Sequence, residues 1–187
     1  METLLRTITL FFKNATGQNR STKQQTMHAV HSILLRPTVL SDLEVLFVFQ
    51  LDPEANYLAA FTSKDAADKQ SYLAKYTALL NNPTVNMQTV LVNGIIAESI
   101  SKFEMEDDAE ITYWFDKKWW GKGIASAALQ QFLLVENTRP IYGRVAFDNI
   151  GSQKVLEAAG FRKTGIDRGF AYARQIEIEE AIYKLDP

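Results

Sequence analysis

The sequence of 187 residues contains no cysteine, which excludes disulfides, thiolate-bound metals and a cysteine nucleophile. It contains two histidines, His28 and His31, which lie close together near the start of the chain. Zinc sites and serine-histidine-aspartate sites draw their histidines into one constellation with other functional residues. Neither kind of site is expected from this pair, and we predict no metal.

The sequence also lacks a charge imbalance and a long apolar run. With 20 basic and 22 acidic residues, the formal net charge is -2, which gives no basic surface for a nucleic-acid partner. No apolar run approaches the roughly 20 residues that span a bilayer, so no membrane is expected. Arg6 interrupts the apolar residues 3–12, and no small-residue cleavage site follows. We therefore predict a cytoplasmic protein.

The hydrophobic pattern predicts one folded domain behind a polar lead-in. Residues 13–27 are rich in Asn, Gln, Ser and Thr and have no hydrophobic period. We predict a flexible extension over residues 1–30 and a domain over residues 31–187. Within the domain the pattern predicts a strand, helices, three strands, a helix, a strand, a helix and two strands. This order corresponds to an α/β (α+β) fold.

Local signals set the expected boundaries of some elements. Asn93-Gly94 is typical of a two-residue turn between two of the three consecutive strands. Ser41-Asp42-Leu43-Glu44 has the pattern of a capping box, which predicts a helix beginning at Ser41.

The stretch FDKKWWGKGIASAAL, residues 115–129, places two glycines between a strand and a helix. A helix N-terminus presents unpaired N–H groups and attracts anions, and glycine lets the backbone approach them closely. The spacing of Gly121, Lys122 and Gly123 fits neither a Walker A loop nor a dinucleotide fingerprint. On these residues alone, a phosphate site and a simple tight connection both remain open.

The strand AEITYWF, the turn WWGKGIA and residues 149–161 together resemble the acetyl-CoA-binding motif and following segment of the GNAT N-acetyltransferases. They are most similar to the branch of ribosomal-protein N-terminal alanine and serine acetyltransferases, over about residues 31–185. The resemblance implies a central mixed, mostly antiparallel twisted sheet of about six or seven strands, with helices on both faces and a splay between the fourth and fifth strands. It implies a monomer or homodimer that transfers acetyl from acetyl-CoA to a primary amine by direct attack in a ternary complex.

The resemblance also assigns residues to the cofactor. The family's turn reads Gln/Arg-x-x-Gly-x-Gly/Ala, so Trp120 departs from it while Gly123 and Ala125 match. The backbone N–H groups of residues 121–126 are expected to hold the pyrophosphate, and the strand before them to pair with the pantetheine arm. The residues assigned in this way are Tyr113, Trp114, Phe115, Trp120, Gly121, Lys122, Gly123, Ile124, Ala125, Ser126, Asn149 and Ser152.

Asn149 and Ser152 match the Asn-x-x-Ser of this branch. Asn149 is equally suited to capping a helix, and one side chain can do both. Many GNAT enzymes have a tyrosine four residues after the serine, which protonates the leaving thiolate. Leu156 stands there in this chain, so the Ser152 hydroxyl is the remaining local donor and our candidate acid.

The general base is harder to assign from the resemblance, because relatives carry this residue at different positions. Some have a glutamate on the fifth strand, where this chain has Arg144, and others near the start of the fourth strand, where it has Glu110. Glu110 is our predicted base and Glu98 a second choice. As an alternative, Glu110 is a strand-end residue that faces water.

Acid-base magnitudes bear on the acceptor. At pH 7, deprotonating an α-amino group with a pKa near 8 costs about 1 kcal/mol, and deprotonating a lysine near 10.4 costs about 4.6 kcal/mol. A site without an assured base therefore favours a protein N-terminal α-amine or a small amine of low pKa over a lysine side chain. The absent tyrosine and Arg144 keep a second interpretation open, a non-catalytic acyl-CoA-binding sensor or scaffold with the same fold.

Overall fold

The computed structural model describes residues 31–187, so the predicted extension over residues 1–30, with His28, lies outside the described residues. In chain order the elements are β1 (Ile33–Pro37), α1 (Leu43–Phe49), α2 (Pro53–Ala59), α3 (Lys69–Leu80), β2 (Asn86–Val92), β3 (Ile95–Met105), β4 (Asp108–Phe115), α4 (Ile124–Val135), β5 (Ile141–Ala146), α5 (Ile150–Ala158), β6 (Arg162–Ala171) and β7 (Ile176–Leu185). The predicted order of elements is confirmed. Over the same residues, no helix combines the length and the apolar character needed to cross a bilayer.

The strands form one mixed sheet in the order β1-β2-β3-β4-β5-β7-β6. Neighbours pair antiparallel, except that β4 and β5 run parallel. The pairing of β4 with β5 is limited to Glu110 with Tyr142 and Ile111 with Gly143, although β4 continues to Phe115. The predicted splay is therefore present, and we call this point the fork. Past the fork, the facing strand edges do not pair with each other.

Two apolar clusters show that helices cover both faces of the sheet, as predicted. Successive residues of a strand point to opposite faces, so Met87 and Val90 of β2 lie in different clusters. Val90 belongs with buried residues of α4 and α5, including Phe132 and Leu156. Met87 belongs with residues of α1 and α3, including Phe47. The fork thus lies between two covered faces.

The turn prediction is confirmed and the capping-box prediction is wrong. Asn93 and Gly94 both adopt positive φ, 52° and 79°, as a two-residue hairpin turn with a type I′ backbone requires. Helix α1 begins only at Leu43, after a 3-10 turn. Asp42 accepts the N–H of Val39 at 3.0 Å and pairs with Arg36, 2.6 Å from Oδ2 to Nη1. Glu44, the carboxylate of the predicted box, pairs with Lys69 of α3, a partner that a local motif cannot foresee.

Helix α2 is bonded to the loop that precedes α5. The Arg174 guanidinium pairs with both oxygens of Asp148, at 2.8 and 2.9 Å, and its Nε donates to the carbonyl of Tyr57 at 2.7 Å. The Asn149 amide donates to the carbonyl of Leu58 at 3.1 Å. These bonds hold α2 beside the start of α5.

Candidate active site

A cleft of about 980 Å³ passes through the sheet at the fork. Side chains of both faces line it: Tyr113 and Ser152 from the α5 side, and Glu110, Trp114 and Tyr72 from the opposite side. The predicted site residues on its wall are Glu110, Tyr113, Trp114, Phe115, Trp120, Gly121, Ala125, Asn149 and Ser152. Because strands separate here, the cleft connects the glycine turn with the opposite face of the sheet.

The glycine turn forms one end of this cleft. Gly121 and Gly123 have φ of 68° and 73°, in the left-handed region that favours glycine. Gly123 is the N-cap of α4, and the Gly123 carbonyl accepts the first hydrogen bond of the helix, from the N–H of Ala127 at 3.2 Å. The N–H groups of the three intervening residues, 124–126, therefore have no intrahelical acceptor. A Cβ built on either glycine meets nothing within 4 Å, so the turn has room for an anion.

Four of the residues predicted to bind the cofactor do not line the cleft: Lys122, Gly123, Ile124 and Ser126. The side chain of Ile124 is 2% exposed and packs in the core. The Lys122 ammonium donates to the carbonyl of Lys118 at 2.7 Å and lies 5.1 Å from the centre of the Trp119 ring. These residues can therefore offer an anion their backbone N–H groups, while the Lys122 ammonium contacts Lys118 and Trp119.

At the end of β4, aromatic side chains fix the strand to its surroundings. The Trp114 indole donates to the carbonyl of Phe49 at 3.1 Å, which ties β4 to the end of α1. The Trp120 indole donates to the carbonyl of Phe115 at 3.2 Å and closes the turn back onto the strand. The departure from Gln or Arg at position 120 thus places an indole that braces the turn.

Ser152 is held from two sides at the start of α5. Its backbone N–H donates to Oδ1 of Asn149 at 3.1 Å, so Asn149 acts as the helix N-cap. With its amide on Leu58, the Asn149 side chain has both its donor and its acceptor engaged. The phenol of Tyr113 lies 2.7 Å from the Ser152 Oγ. The partners are 39 residues apart, and no local signal indicates this contact.

Glu110 is 3% exposed and does not face water. Its Oε1 accepts from Nε of Arg144 at 3.0 Å, across the two strands of the fork. The same guanidinium faces Asp167 at 3.3 Å and Glu180 at 3.7 Å. Burial raises the pKa of Glu110, and the hydrogen bond and charge of Arg144 oppose that rise. A carboxylate with a raised pKa in a cleft is suited to accepting a proton.

Glu98, the second choice for the base, is fully buried and does not line the cleft. Among residues 31–187, neither of its Oε atoms has a hydrogen-bond partner. Burial raises the pKa of Glu98 well above its ordinary value. A general base must come within hydrogen-bond reach of the substrate, which Glu98 in this position does not.

Carboxylates outnumber cations on the wall of the cleft. Lining residues with negative charge are Asp65, Asp68, Glu110, Asp148 and Glu180, against Lys75 and Arg144. Tyr72 and Tyr76, whose ring centres lie 4.3 Å apart, add aromatic surface. Over the described part of the chain, no three His, Asp or Glu side chains converge as a metal site. Apart from Glu110, sequence reasoning did not single out these acidic residues, because the five come from four separate segments of the chain.

Comparisons with known proteins agree with this architecture. An uncharacterized N-acetyltransferase, p20 of Bacillus licheniformis, is 27% identical over 82% of this chain and 92% of its own. The microcin C7 self-immunity acetyltransferase MccE, solved with acetyl-CoA and AMP, has a TM-score of 0.68 at 18% identity, over 83% of this chain and 92% of its own. The ribosomal-protein-S5-alanine acetyltransferase of Vibrio fischeri has a TM-score of 0.67 at 18% identity, over 82% and 92%.

The family itself is shown by a direct match. Residues 32–162 match the model of the acetyltransferase (GNAT) domain, which is more than half of the chain. The match begins at β1 and ends at the start of β6, so it contains the fork, the glycine turn and the Asn149–Ser152 cap. The chain therefore belongs to the GNAT family of acetyltransferases.

Proposed function

We propose that this chain transfers the acetyl group of acetyl-CoA to a primary amine by direct attack in a ternary complex. One observation carries the proposal: the cleft through the fork joins the glycine turn to Glu110 and Ser152. A donor held at the turn can extend between β4 and β5 toward those two side chains. An acceptor reaches them from the face where α1 and α3 lie.

The glycine turn fits the pyrophosphate of the donor. Unpaired N–H groups at the start of α4 and the partial positive charge of the helix favour an anion. Past the fork, the inner edges of β4 and β5 offer backbone groups to the pantetheine arm, as an added strand does. Residues 113–115 of β4 and Trp120 border this path.

Glu110 and Ser152 divide the proton chemistry. Glu110 accepts a proton from the ammonium form of the acceptor, and the neutral nitrogen then forms a bond to the thioester carbonyl carbon. The bonded nitrogen loses its second proton to water. The carbon–sulfur bond breaks with its electron pair on sulfur. Ser152 donates a hydrogen bond to the sulfur, which leaves as a thiolate and takes a proton from water.

An α-amine or small cationic amine is the acceptor class that the cleft supports. The excess of carboxylates on its wall attracts a protonated amine and raises its local concentration. The lower cost of deprotonating an α-amine, argued above, points the same way. The fold is shared with an S5-alanine acetyltransferase, which supports protein N-termini within this class.

Thiol release tests the proposal. The protein is incubated with acetyl-CoA and a panel of N-terminal peptides, amino acids, aminoglycosides and small amines, and free CoA and the product are measured. Release with acetylation of an α-amine or small amine is expected. Products confined to Nε-acetyl-lysine would contradict the acceptor class. Tight acetyl-CoA binding without release would indicate the sensor, and no binding at all would leave the glycine turn as a connection only.

Replacement of Gly123 is expected to weaken CoA binding. An alanine in the left-handed region costs about 1–2 kcal/mol, so the free turn should relax and must be restored on binding. Gly123→Ala should therefore raise the Kd for CoA by about 5- to 30-fold, measured by titration calorimetry. Gly94→Ala is the matched control, because Gly94 has a similar φ of 79° in a different turn, the hairpin between β2 and β3. An equal loss in both variants would contradict the assignment.

Removal of the Arg144 guanidinium is expected to change the pH dependence of the reaction. Burial raises the pKa of Glu110 while Arg144 opposes the rise, so Arg144→Gln should raise that pKa further. Glu110 acts as a base only when ionised, so the acid limb of kcat/KM should move to higher pH. Arg162→Gln, which removes an exposed ion pair with Asp186, serves as the control. An acid limb that stays in place would argue against Glu110 as the base.

A further inference from the structure

The phenol of Tyr113 faces two oxygen atoms of Ser152. Tyr113 Oη lies 2.7 Å from Ser152 Oγ and 3.1 Å from the Ser152 carbonyl oxygen. A phenol and a serine hydroxyl each carry one hydrogen, and each can also accept. The pair therefore has two internal arrangements, which differ in where the serine hydrogen points.

In the first arrangement the phenol donates to the carbonyl, and the Ser152 hydroxyl donates to the phenol oxygen. The serine hydrogen is then turned toward Tyr113. In the second arrangement the phenol donates to Oγ, which leaves the serine hydrogen free to point into the cleft that both residues line. Negative charge at the sulfur favours the second, because hydrogen bonds in a chain polarise one another.

We propose that Tyr113 is a positioning residue: its phenol donates to Ser152 Oγ and aims the serine hydroxyl at the leaving sulfur. This role rests on the proposed function. Tyr113 brings an aromatic hydroxyl to the site from β4. The position on α5 where many GNAT enzymes have a tyrosine is Leu156 in this chain, which has no hydroxyl.

The surroundings of the pair favour a fixed geometry. The Asn149 side chain holds the backbone of Ser152, and Tyr113 lies opposite the fully buried Ile100 on β3. The ring of Phe115 meets that of Tyr113 edge-on, with centres 6.3 Å apart. Burial raises the pKa of Tyr113, so the phenol keeps its hydrogen across the neutral pH range. A partly buried donor whose two acceptor atoms both belong to Ser152 can select a single rotamer of the serine.

Tyr113→Phe removes the phenolic oxygen and keeps the ring. Loss of a hydrogen bond to a group that gains charge should lower the single-turnover rate of acetyl transfer by about tenfold. The KM for acetyl-CoA should stay within about twofold, because the ring still packs at the same place. In a Ser152→Ala background the same change should have no further effect, since the phenol then has no hydroxyl to aim.

Tyr172→Phe is the matched control. Tyr172 is exposed in the turn after β6 and does not line the cleft. Its rate should equal that of the wild type. A fluorinated tyrosine at position 113 gives a second measurement that keeps the ring nearly unchanged in size. Its phenol ionises at lower pH and then has no hydrogen to donate, so the alkaline decline of the rate should begin at lower pH than in the wild type.

The outcomes separate this role from the proposed function. Turnover by the wild type with an unchanged rate in Tyr113→Phe, or additive losses in the double variant, would overturn the positioning role alone. No turnover by the wild type on the acceptor panel would overturn the proposed function and this role together.

Discussion

Glu110→Gln is expected to lower kcat/KM for the amine acceptor by about 10²- to 10⁴-fold at pH 7, the usual range for a lost general base. Glutamine keeps the shape of the side chain and can accept from Arg144, but it cannot take up the amine proton. The guanidinium retains Asp167 and Glu180 as partners, so the fork should remain intact. Initial rates of CoA release measure the effect, and calorimetry should show unchanged CoA affinity.

The pH dependence of this loss distinguishes a base from a structural carboxylate. An α-amine has a pKa near 8, so as the pH rises past that value the substrate needs less help in losing its proton. The deficit of Glu110→Gln should therefore shrink at alkaline pH. Glu177→Gln, an exposed carboxylate of β7, is the control and should behave as the wild type. A loss below about twofold at pH 7 would remove Glu110 from the chemistry.

Glu98→Met is expected to stabilise the domain. An unpaired buried acceptor costs about 1–3 kcal/mol, and methionine fills a similar volume without a polar atom. The gain should appear as a higher free energy of unfolding in urea titrations at pH 8.

The sign of the pH effect follows from the direction of the pKa shift. Burial raises the pKa of Glu98 in the folded protein above its unfolded value, so the folded state favours the protonated acid. The stabilisation that this preference gives has its full value at pH values below the pKa of the unfolded chain. It is lost as the pH rises through the higher pKa of the folded protein. The gain from Glu98→Met should thus be larger at pH 8 than at pH 5. Glu177→Met on the surface should show no such trend, and equal gains at both pH values would contradict the argument.

The sequence predicts elements well where the signal is local. The order of strands and helices follows from hydrophobic periods, and the hairpin at Asn93-Gly94 from two residues that tolerate positive φ. The capping box predicted at the start of α1 is wrong because Glu44 pairs with Lys69 and Asp42 accepts from Thr89, 25 and 47 residues away. Propensity at four neighbouring positions carries no information about such partners.

For the candidate site, the individual residues were accessible to sequence reasoning and their partnerships were not. The motif resemblance assigned roles to Glu110 and Ser152 separately. Pairing Glu110 with Arg144 and Ser152 with Tyr113 requires the sheet to bring together residues 34 and 39 positions apart. Burial is also a tertiary property, and it excludes Glu98 although its residue type suits a base.

The fork has a thermodynamic consequence for the whole domain. Beyond two residue pairs, β1–β4 and β5–β7 share no ladder, so the sheet is divided where the donor is proposed to lie. A ligand that binds both strand edges stabilises the folded state and not the unfolded chain. By linkage, a free concentration of 100 times Kd adds about 2.7 kcal/mol to the free energy of unfolding. The resistance of the domain to unfolding should therefore follow the acetyl-CoA concentration around it.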